Sequence, residues 1–270
     1  MKKILRFLWI PIAAAILVGG YAWLIEPNLL RVSRQEAAAD GKTGPLTVVF
    51  FTDTHFGSLY SPDHLSRIVE KINAEKPDLV LFGGDFFDAY AKDAALFDLE
   101  QIGETLSEID AGLGKYAVWG NHDRGGGASR VYEQVMEAGG FSVLDNRWVS
   151  LPESGLVLAG VDDGLLGTPS LDLSDAPADA FVILLSHEPD PVRELPAGGV
   201  DLILSGHSHG GQVSLPFLTQ AVLPPGGREF RKGWYRLGES ALFVSCGIGT
   251  TKLPVRLGNI PEICVFTLTP

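Results

Sequence analysis

The chain has 270 residues, 46% of them hydrophobic and 20% charged, a balance that excludes wholesale disorder and fibrous classes. Lys and Arg number 21 against 33 Asp and Glu, a net charge of −12, which argues against a duplex nucleic-acid binder, so no nucleic-acid partner is expected. Only two cysteines occur, Cys246 and Cys264, which rules out a disulfide-dense scaffold and a four-cysteine zinc site. They read as buried thiols, with a single bridge as the alternative in an oxidising compartment.

Charge is unevenly spread. Residues 1–34 carry Lys2, Lys3, Arg6, Arg31 and Arg34 against Glu26, a net of +4 that leaves −16 for the rest. Phe7 to Ile25 is a run of 19 residues without a charge. As a helix it would span roughly 28 Å, close to the thickness of a hydrocarbon core. Trp9 near one end, and Tyr21 and Trp23 near the other, suit interfacial aromatic belts. A cleaved signal peptide would have a shorter apolar region and a small-x-small site, whereas Glu26-Pro27-Asn28 follows here. Residues 1–34 therefore read as a single-pass N-terminal membrane anchor. Lys2, Lys3 and Arg6 outweigh Arg31 and Arg34, which puts the N-terminus in the cytoplasm and the body outside it. Residues 35–45 read as a linker and 46–270 as the folded domain.

The predicted elements then follow in order. Leu46–Thr52 is an apolar, β-branched strand that stops at Asp53. Leu65–Ala74 has helical spacing in Leu65, Ile68, Val69 and Ile72. Asp78–Phe82 is a strand ending at Gly83, Gly84 and Asp85. Leu96–Ile109 is an amphipathic helix, Lys115–Trp119 a strand ending at Gly120-Asn121-His122-Asp123, and Arg130–Ala138 a helix closed by Gly139 and Gly140. The second half predicts strands at Phe141–Asp145, Trp148–Leu151, Leu156–Val161, Phe181–Ser186, Asp201–Ser205, Ala241–Ser245 and Ile263–Leu268, with few helices. The pattern is a two-sheet α/β sandwich; a G-x-G-x-x-G phosphate loop is absent.

In α/β sheets, chemistry collects beyond the carboxyl ends of the strands. Five of the six histidines fall there, in Asp53-Thr54-His55, His122, His187 and His207-Ser208-His209, joined by Asp85, Asp88 and Asn121. His64, near a helix start, reads as an ordinary surface residue. Taken singly, each residue reads as a structural histidine or a helix cap. Taken together, five clusters of carboxylate, amide and imidazole need a cation to relieve their repulsion. Asp53 and His55, like His207 and His209, alternate and so point to one side of an extended segment. The donors are more numerous than one tetrahedral ion needs, and their oxygen and nitrogen chemistry suits two divalent ions such as manganese, iron or catalytic zinc.

The ordered blocks D-x-H (Asp53, His55), G-D-x-x-D (Gly84 to Asp88), G-N-H-D (Gly120 to Asp123), a lone His187 and G-H-x-H (Gly206 to His209) resemble the calcineurin-like metallophosphoesterase superfamily. The apolar leader with Glu26-Pro27, the G-H-S-H-G-G-Q block with Pro216, and the tail from Gly247 to Ile263 resemble its membrane-associated YaeI/YkuE-like branch. This resemblance implies a four-layered αββα sandwich preceded by one N-terminal transmembrane helix. It implies that Asp53, His55 and His209 hold one metal ion, that Asn121, His187 and His207 hold the other, and that Asp85 bridges both. His122, oriented by Asp88, would act beside the ions, and Asp123 fits the pattern without an evident role. The implied reaction is hydrolysis of a phosphodiester or pyrophosphate bond by a hydroxide shared between the ions, the ions neutralising phosphoryl charge.

Arg256 reads as a phosphate clamp, with a solvated surface arginine as the equal alternative. The apolar loop Leu215–Arg231 and segment Leu165–Leu173 read as an acyl-chain groove or bilayer contact, or as ordinary packing. Relatives in the branch suggest UDP-diacylglucosamine, a lipid A precursor, as substrate, although a cytoplasmic nucleotide lipid conflicts with an outward-facing body. A cell-envelope phosphoesterase and a non-catalytic metal-binding module are the alternatives, and no obligate protein partner is evident.

Overall fold

The computed structural model describes residues 2–195, 198–215 and 219–270, with side chains from Trp9 onward apart from that of Ala221. Pro216, Phe217 and Leu218 of the predicted apolar loop, and the side chains of Lys2, Lys3 and Arg6, lie outside the described residues. Helix α1 (Lys2–Gly20) continues through a π-helical turn at Tyr21–Ile25 and a 3₁₀ turn at Glu26–Asn28. The 20 residues Trp9–Asn28 are long and apolar enough to cross a membrane by length and composition. Leu17 and Leu24 are 73% and 70% exposed among the described residues.

The domain is built on two six-stranded sheets. In the first, β1 (Arg31–Ala38), β2 (Leu46–Phe51), β3 (Leu79–Phe82), β4 (Lys115–Ala117), β5 (Phe141–Val143) and β12 (Glu262–Thr269) lie in the order β1-β12-β2-β3-β4-β5. The second sheet takes β6 (Arg147–Leu151), β7 (Leu156–Gly160), β8 (Phe181–Leu185), β9 (Leu202–Ser205), β10 (Gly233–Leu237) and β11 (Ser240–Val244) in the order β10-β11-β9-β8-β7-β6. Strands β2 to β5 run parallel, as do β7, β8, β9 and β11, so both sheets present carboxyl ends to the same region.

Continuous apolar runs form these strands because both faces are buried. Val48 and Phe50 of β2 join Leu158, Ile183 and Leu204 in the core between the sheets. Val49 and Phe51 point the other way, onto α2 (Leu65–Ala74). Short helix α3 (Tyr90–Asp93) precedes α4 (Leu99–Ser107). After them come α5 (Asn121–Gly125) and α6 (Tyr132–Ala138). Ile68 and Ile72 of α2, Ile102 and Leu106 of α4, and Val135 and Met136 of α6 complete that core. The fourth layer differs in substance from the other three. Leu171, Val192, Val200 and Phe230, from loops and short turns, cover the outer face of the second sheet. A final short helix, α7 (Thr219–Val222), follows the G-H-S-H block.

Two segments depart from the expected division. Residues 35–45 were expected as a linker, and residues 31–34 as the end of the anchor, yet Arg31–Ala38 is strand β1. It runs parallel to β12 in register from Arg31↔Glu262 to Ala38↔Thr269. From Arg34 to Ala38 exposed and half-buried residues alternate, as on an edge strand with one solvated face, and Arg31 pairs with the buried Glu262 at 2.6 Å. Strand β10 is the corresponding edge of the second sheet and carries no long apolar run. Cys246 and Cys264 are both free and buried.

Candidate metal centre

Asp53, His55, Asp85, Asn121, His187, His207 and His209 all follow within four residues of the end of a parallel strand. Main-chain bonds stitch the first two clusters together: Asp53 N–H donates to Gly84 O at 2.9 Å, and His55 N–H to Asp85 O at 3.1 Å. The buried Asp123 explains the last residue of G-N-H-D. Its carboxylate accepts N–H groups from Asp85, Phe86 and Gly120 at 2.7, 3.0 and 3.2 Å, which clasps the Asp85 loop to α5. Gly84 has φ +93° and so close an approach to Gly120 N that a Cβ would collide with it. Asp53, His55, Asp85, His207 and His209 also have positive φ, from 43° to 64°. Such conformations are uncommon for residues with a Cβ and concentrate at functional sites.

The donor atoms form adjoining groups. Asp53, His55 and His209 converge in one; Asp85, His187 and His207 converge in the other, each group lying within 4.8 Å. Asp85 Oδ2 stands between them, 3.3 Å from His55 Nε2 and 3.1 Å from His187 Nε2. Its other oxygen accepts His122 N–H at 2.8 Å, which fixes the carboxylate's rotation. His209 Nε2 is 3.0 Å from His55 Nε2, and His207 Nδ1 is 3.2 Å from His187 Nε2.

These residues fit divalent ions. Asn121 Oδ1 is buried without a hydrogen-bond partner, an orphaned oxygen that a cation would satisfy. The rear nitrogens of two rings are held by main-chain carbonyls: His187 Nδ1 donates to Gly83 O at 2.8 Å, and His207 Nε2 to Pro225 O at 2.8 Å. That leaves His187 Nε2 and His207 Nδ1 as lone pairs for a metal, the arrangement that selects the ligating tautomer.

Electrostatics agree with this arrangement. Burial alone would raise Asp53 and Asp85, but neighbouring histidines hold both well below the usual carboxylate range. His55 rises to about 9 against its burial, because Asp85, Asp53 and Asp88 surround it. His207 falls to about 4 through burial and the charge on His187. Without ions, protons on His55 and His187 balance the carboxylates; divalent cations would take their place.

His122 lines the cavity and is one-third exposed. Its Nδ1 donates to the main-chain carbonyl of Asp88 at 2.6 Å, while the Asp88 carboxylate is 3.4 Å away. That carboxylate lies 3.3 Å from His55 Nδ1, so Asp88 orients His122 through its backbone and buttresses His55 through its side chain.

Arg256 departs from both of its expected roles. It is fully buried and donates to the carbonyls of Cys246, Gly249 and Asn259, with Nη2 3.2 Å from His209 Nδ1. It does not line the cavity, and four of its five N–H groups are spent on these carbonyls, the fifth facing His209. Sequence reasoning missed Glu188, whose Oε2 accepts Gly164 N–H at 2.7 Å beside His187 while Oε1 is buried and unpartnered. Nothing in the sequence marks it, since it does not recur at a spacing. His64 is half-buried, stacked on Tyr60 with ring centroids 4.5 Å apart and away from the site.

The donors open into a cavity of about 640 Å³ whose other wall is apolar, from Leu165, Val213, Val222, Pro224, Leu253 and Val255. Two sheets converging on adjoining carboxylate–imidazole clusters in such a cavity mark a metal-dependent phosphoester hydrolase, and the clusters fit a dinuclear site. The chain belongs to the calcineurin-like phosphoesterase family, whose model matches residues 46–211. It is 36% identical to the uncharacterized metallophosphoesterase YkuE of Bacillus subtilis, over 95% of this chain and 92% of that one. Phosphodiesterase YaeI of Escherichia coli is 26% identical, over 92% of each chain. The UDP-2,3-diacylglucosamine pyrophosphatase LpxG of Chlamydia trachomatis is 28% identical, over 94% of each.

Proposed function

We propose that this chain is a membrane-anchored phosphohydrolase that cleaves a phosphodiester or pyrophosphate bond in a lipid-linked substrate. One observation carries the reading: Asp85 Oδ2 stands 3.3 Å from His55 Nε2 and 3.1 Å from His187 Nε2, a position suited to joining two ions. Asp53, His55 and His209 would hold one ion, Asn121, His187 and His207 the second, and Asp85 both. Two bound divalent ions, manganese, zinc or iron, would supply the Lewis acidity that activates water and neutralises phosphoryl charge. Asn121 contributes a neutral oxygen. The Nδ1 bond to Asp88 O fixes His122's tautomer, leaving Nε2 to donate to the leaving oxygen when the ring is protonated.

The apolar cavity wall supports a substrate with a hydrocarbon part, and the pyrophosphatase named among the relatives acts on a diacylated nucleotide sugar. Helix α1 would be the anchor, with the catalytic domain beginning at Arg31. Lys2, Lys3 and Arg6 favour a cytoplasmic N-terminus and an outward domain. A nucleotide lipid requires a cytoplasm-facing domain instead, whereas an outward domain requires an envelope phosphoester. Substrate and topology are therefore tested together.

A fragment starting at residue 35 would lack half of β1, so the assay uses the full chain in detergent. After chelation and reloading with manganese or zinc, bis-p-nitrophenyl phosphate, p-nitrophenyl phosphate and UDP-diacylglucosamine are compared, and protease protection of the chain in sealed membrane vesicles reports the side on which the domain lies. Turnover of the nucleotide lipid with a cytoplasmic domain is the outcome expected for the lipid precursor. Turnover of the simple diester alone, with an outward domain, selects the envelope substrate. Two ions bound and none of the three hydrolysed would sink the reading in favour of a binding module.

A further inference from the structure

The Glu26-Pro27 pair has no part in the site described so far. Its effect is on the end of the apolar helix. In a regular α-helix the Ala22 carbonyl would accept the Glu26 N–H. Here the Glu26 N–H bonds to Tyr21 O, one residue further back. In that register the partner of Ala22 O would be residue 27, a proline with no N–H. The Ala22 carbonyl is thereby left for a tertiary partner, and Arg256 N–H donates to it at 2.9 Å. Next along, the buried Glu26 accepts Asn259 N–H through Oε1 at 2.7 Å. Single π-turns of this kind recur at functional positions.

Arg256 and Asn259 carry these contacts inward. Arg256 Nη1 donates to Asn259 O at 2.9 Å, and Nη2 lies 3.2 Å from His209 Nδ1. The Asn259 side-chain amide donates to Gly210 O at 3.0 Å, one residue beyond His209. The opposite face of that ring presents Nε2 to Asp53 Oδ1 at 3.6 Å. The helix end and the His209 ring are thus joined through one buried loop.

We propose that Glu26, acting through Asn259 and Arg256, is a positioning residue for His209, so that the end of the apolar helix sets one ion's ligand geometry. This rests on the reading of Asp53, His55 and His209 as ligands of one ion. Arg256 Nη2 is itself a donor, so it packs against the His209 ring rather than accepting its rear N–H; the loop that carries His209 is held instead by the Asn259 bond to Gly210 O, and loss of such support behind a ligating histidine is taken at about 10- to 100-fold in metal affinity. The test uses the full chain in detergent, metal-free, titrated with cobalt(II) and read by visible absorption and chelator competition. Glu26→Ala is expected to weaken one of the two ions by about 10- to 100-fold and to alter its cobalt spectrum, leaving the other ion unchanged. Glu26→Gln keeps an acceptor for Asn259 N–H and restores both.

Arg67→Ala removes a bond to Asn28 O (2.8 Å) at the same helix end without touching Asn259, and is expected to bind both ions normally. Normal cobalt affinity and spectrum in Glu26→Ala overturn the proposal, as does an equal loss in Arg67→Ala, which would mark general docking. Should Glu26→Ala fail to fold, Asn259→Asp decides. It keeps the main-chain bond to Glu26, loses the donation to Gly210, and is expected to weaken the same ion; normal binding there overturns the proposal. An unaltered chain that fails to bind two ions would refute the metal centre itself, a result distinct from any of these.

Discussion

Asp85→Asn tests the centre most directly. The variant keeps an oxygen for His122 N–H, now 2.8 Å from Asp85 Oδ1, so the loop clasped by Asp123 should stay folded. What changes is the second oxygen, 3.3 Å from His55 Nε2 and 3.1 Å from His187 Nε2, which becomes an amide nitrogen without a lone pair. Removing one partner from a buried charge interaction costs about 3–5 kcal/mol. At about 1.4 kcal/mol per tenfold, that is roughly two to four orders of magnitude in ion affinity. Metal analysis after desalting should find fewer than two ions per chain, with diester turnover falling by at least about a hundredfold. Melting in excess chelator should also fall, because Asp85 balances the protons on His55 and His187 in the metal-free chain, while the fold is retained. Full occupancy and turnover within tenfold of normal would refute the reasoning, because they would mean that Asp85 does not join the two groups.

Three further outcomes follow from the same geometry. Asp88→Ala leaves the main-chain carbonyl that holds His122 but removes the carboxylate 3.3 Å from His55 Nδ1. It should therefore lower metal affinity about 10- to 100-fold, whereas His122→Ala lowers kcat with both ions retained; equal metal loss in both would contradict this division. Gly206→Ala would drive a Cβ into Asp53 Oδ2 and Thr52 Oγ1, so metal analysis should find one ion depleted, and normal occupancy would show that the backbone yields. The third outcome concerns pH. His55, lifted to about 9 in the metal-free chain, contributes stability that is present below its unfolded value of about 6.5 and lost as pH rises through 9. Metal binding needs that proton removed, so the gain in Tm on adding zinc should grow between about pH 6.5 and 9; a gain that shrinks over this range would be the contrary result.

Much of the fold was legible because both sheets bury their central strands on two faces. Runs such as Phe181–Leu185 and Leu202–Ser205 can be recognised from composition alone. Edge strands β1 and β10 could not be found that way. Arg31–Ala38 is stabilised by its main-chain ladder to β12 and by the Arg31–Glu262 pair, neither of which leaves an apolar pattern in the sequence. The histidine clusters were visible because their residue types are rare and stand at strand ends. Arg256 was misjudged because an isolated arginine carries no sign of burial; its partners are carbonyls of Cys246, Gly249 and Asn259, which any sequence would offer. Nor does a sequence reveal that Asp88 serves His122 through its backbone rather than its carboxylate.

The strained residues bear on whether ions assemble the centre or enter one already formed. Left-handed conformations cost roughly 1–3 kcal/mol each and persist only where surrounding structure fixes them. At Asp53 and His55 that structure is the pair of main-chain bonds to Gly84 and Asp85. At His207 it is the N–H donated to both oxygens of Asp53 at 3.0 Å. None of these bonds involves a metal, and the donor atoms already stand within ligand reach of one another. The scaffold's own hydrogen bonds therefore account for the strain at Asp53, His55 and His207, and cations are expected to enter a site that it shapes. Chelation should lower Tm without unfolding the chain at room temperature, and far-ultraviolet circular dichroism should be unchanged by chelator; loss of strand signal on chelation would show instead that the ions organise the loops.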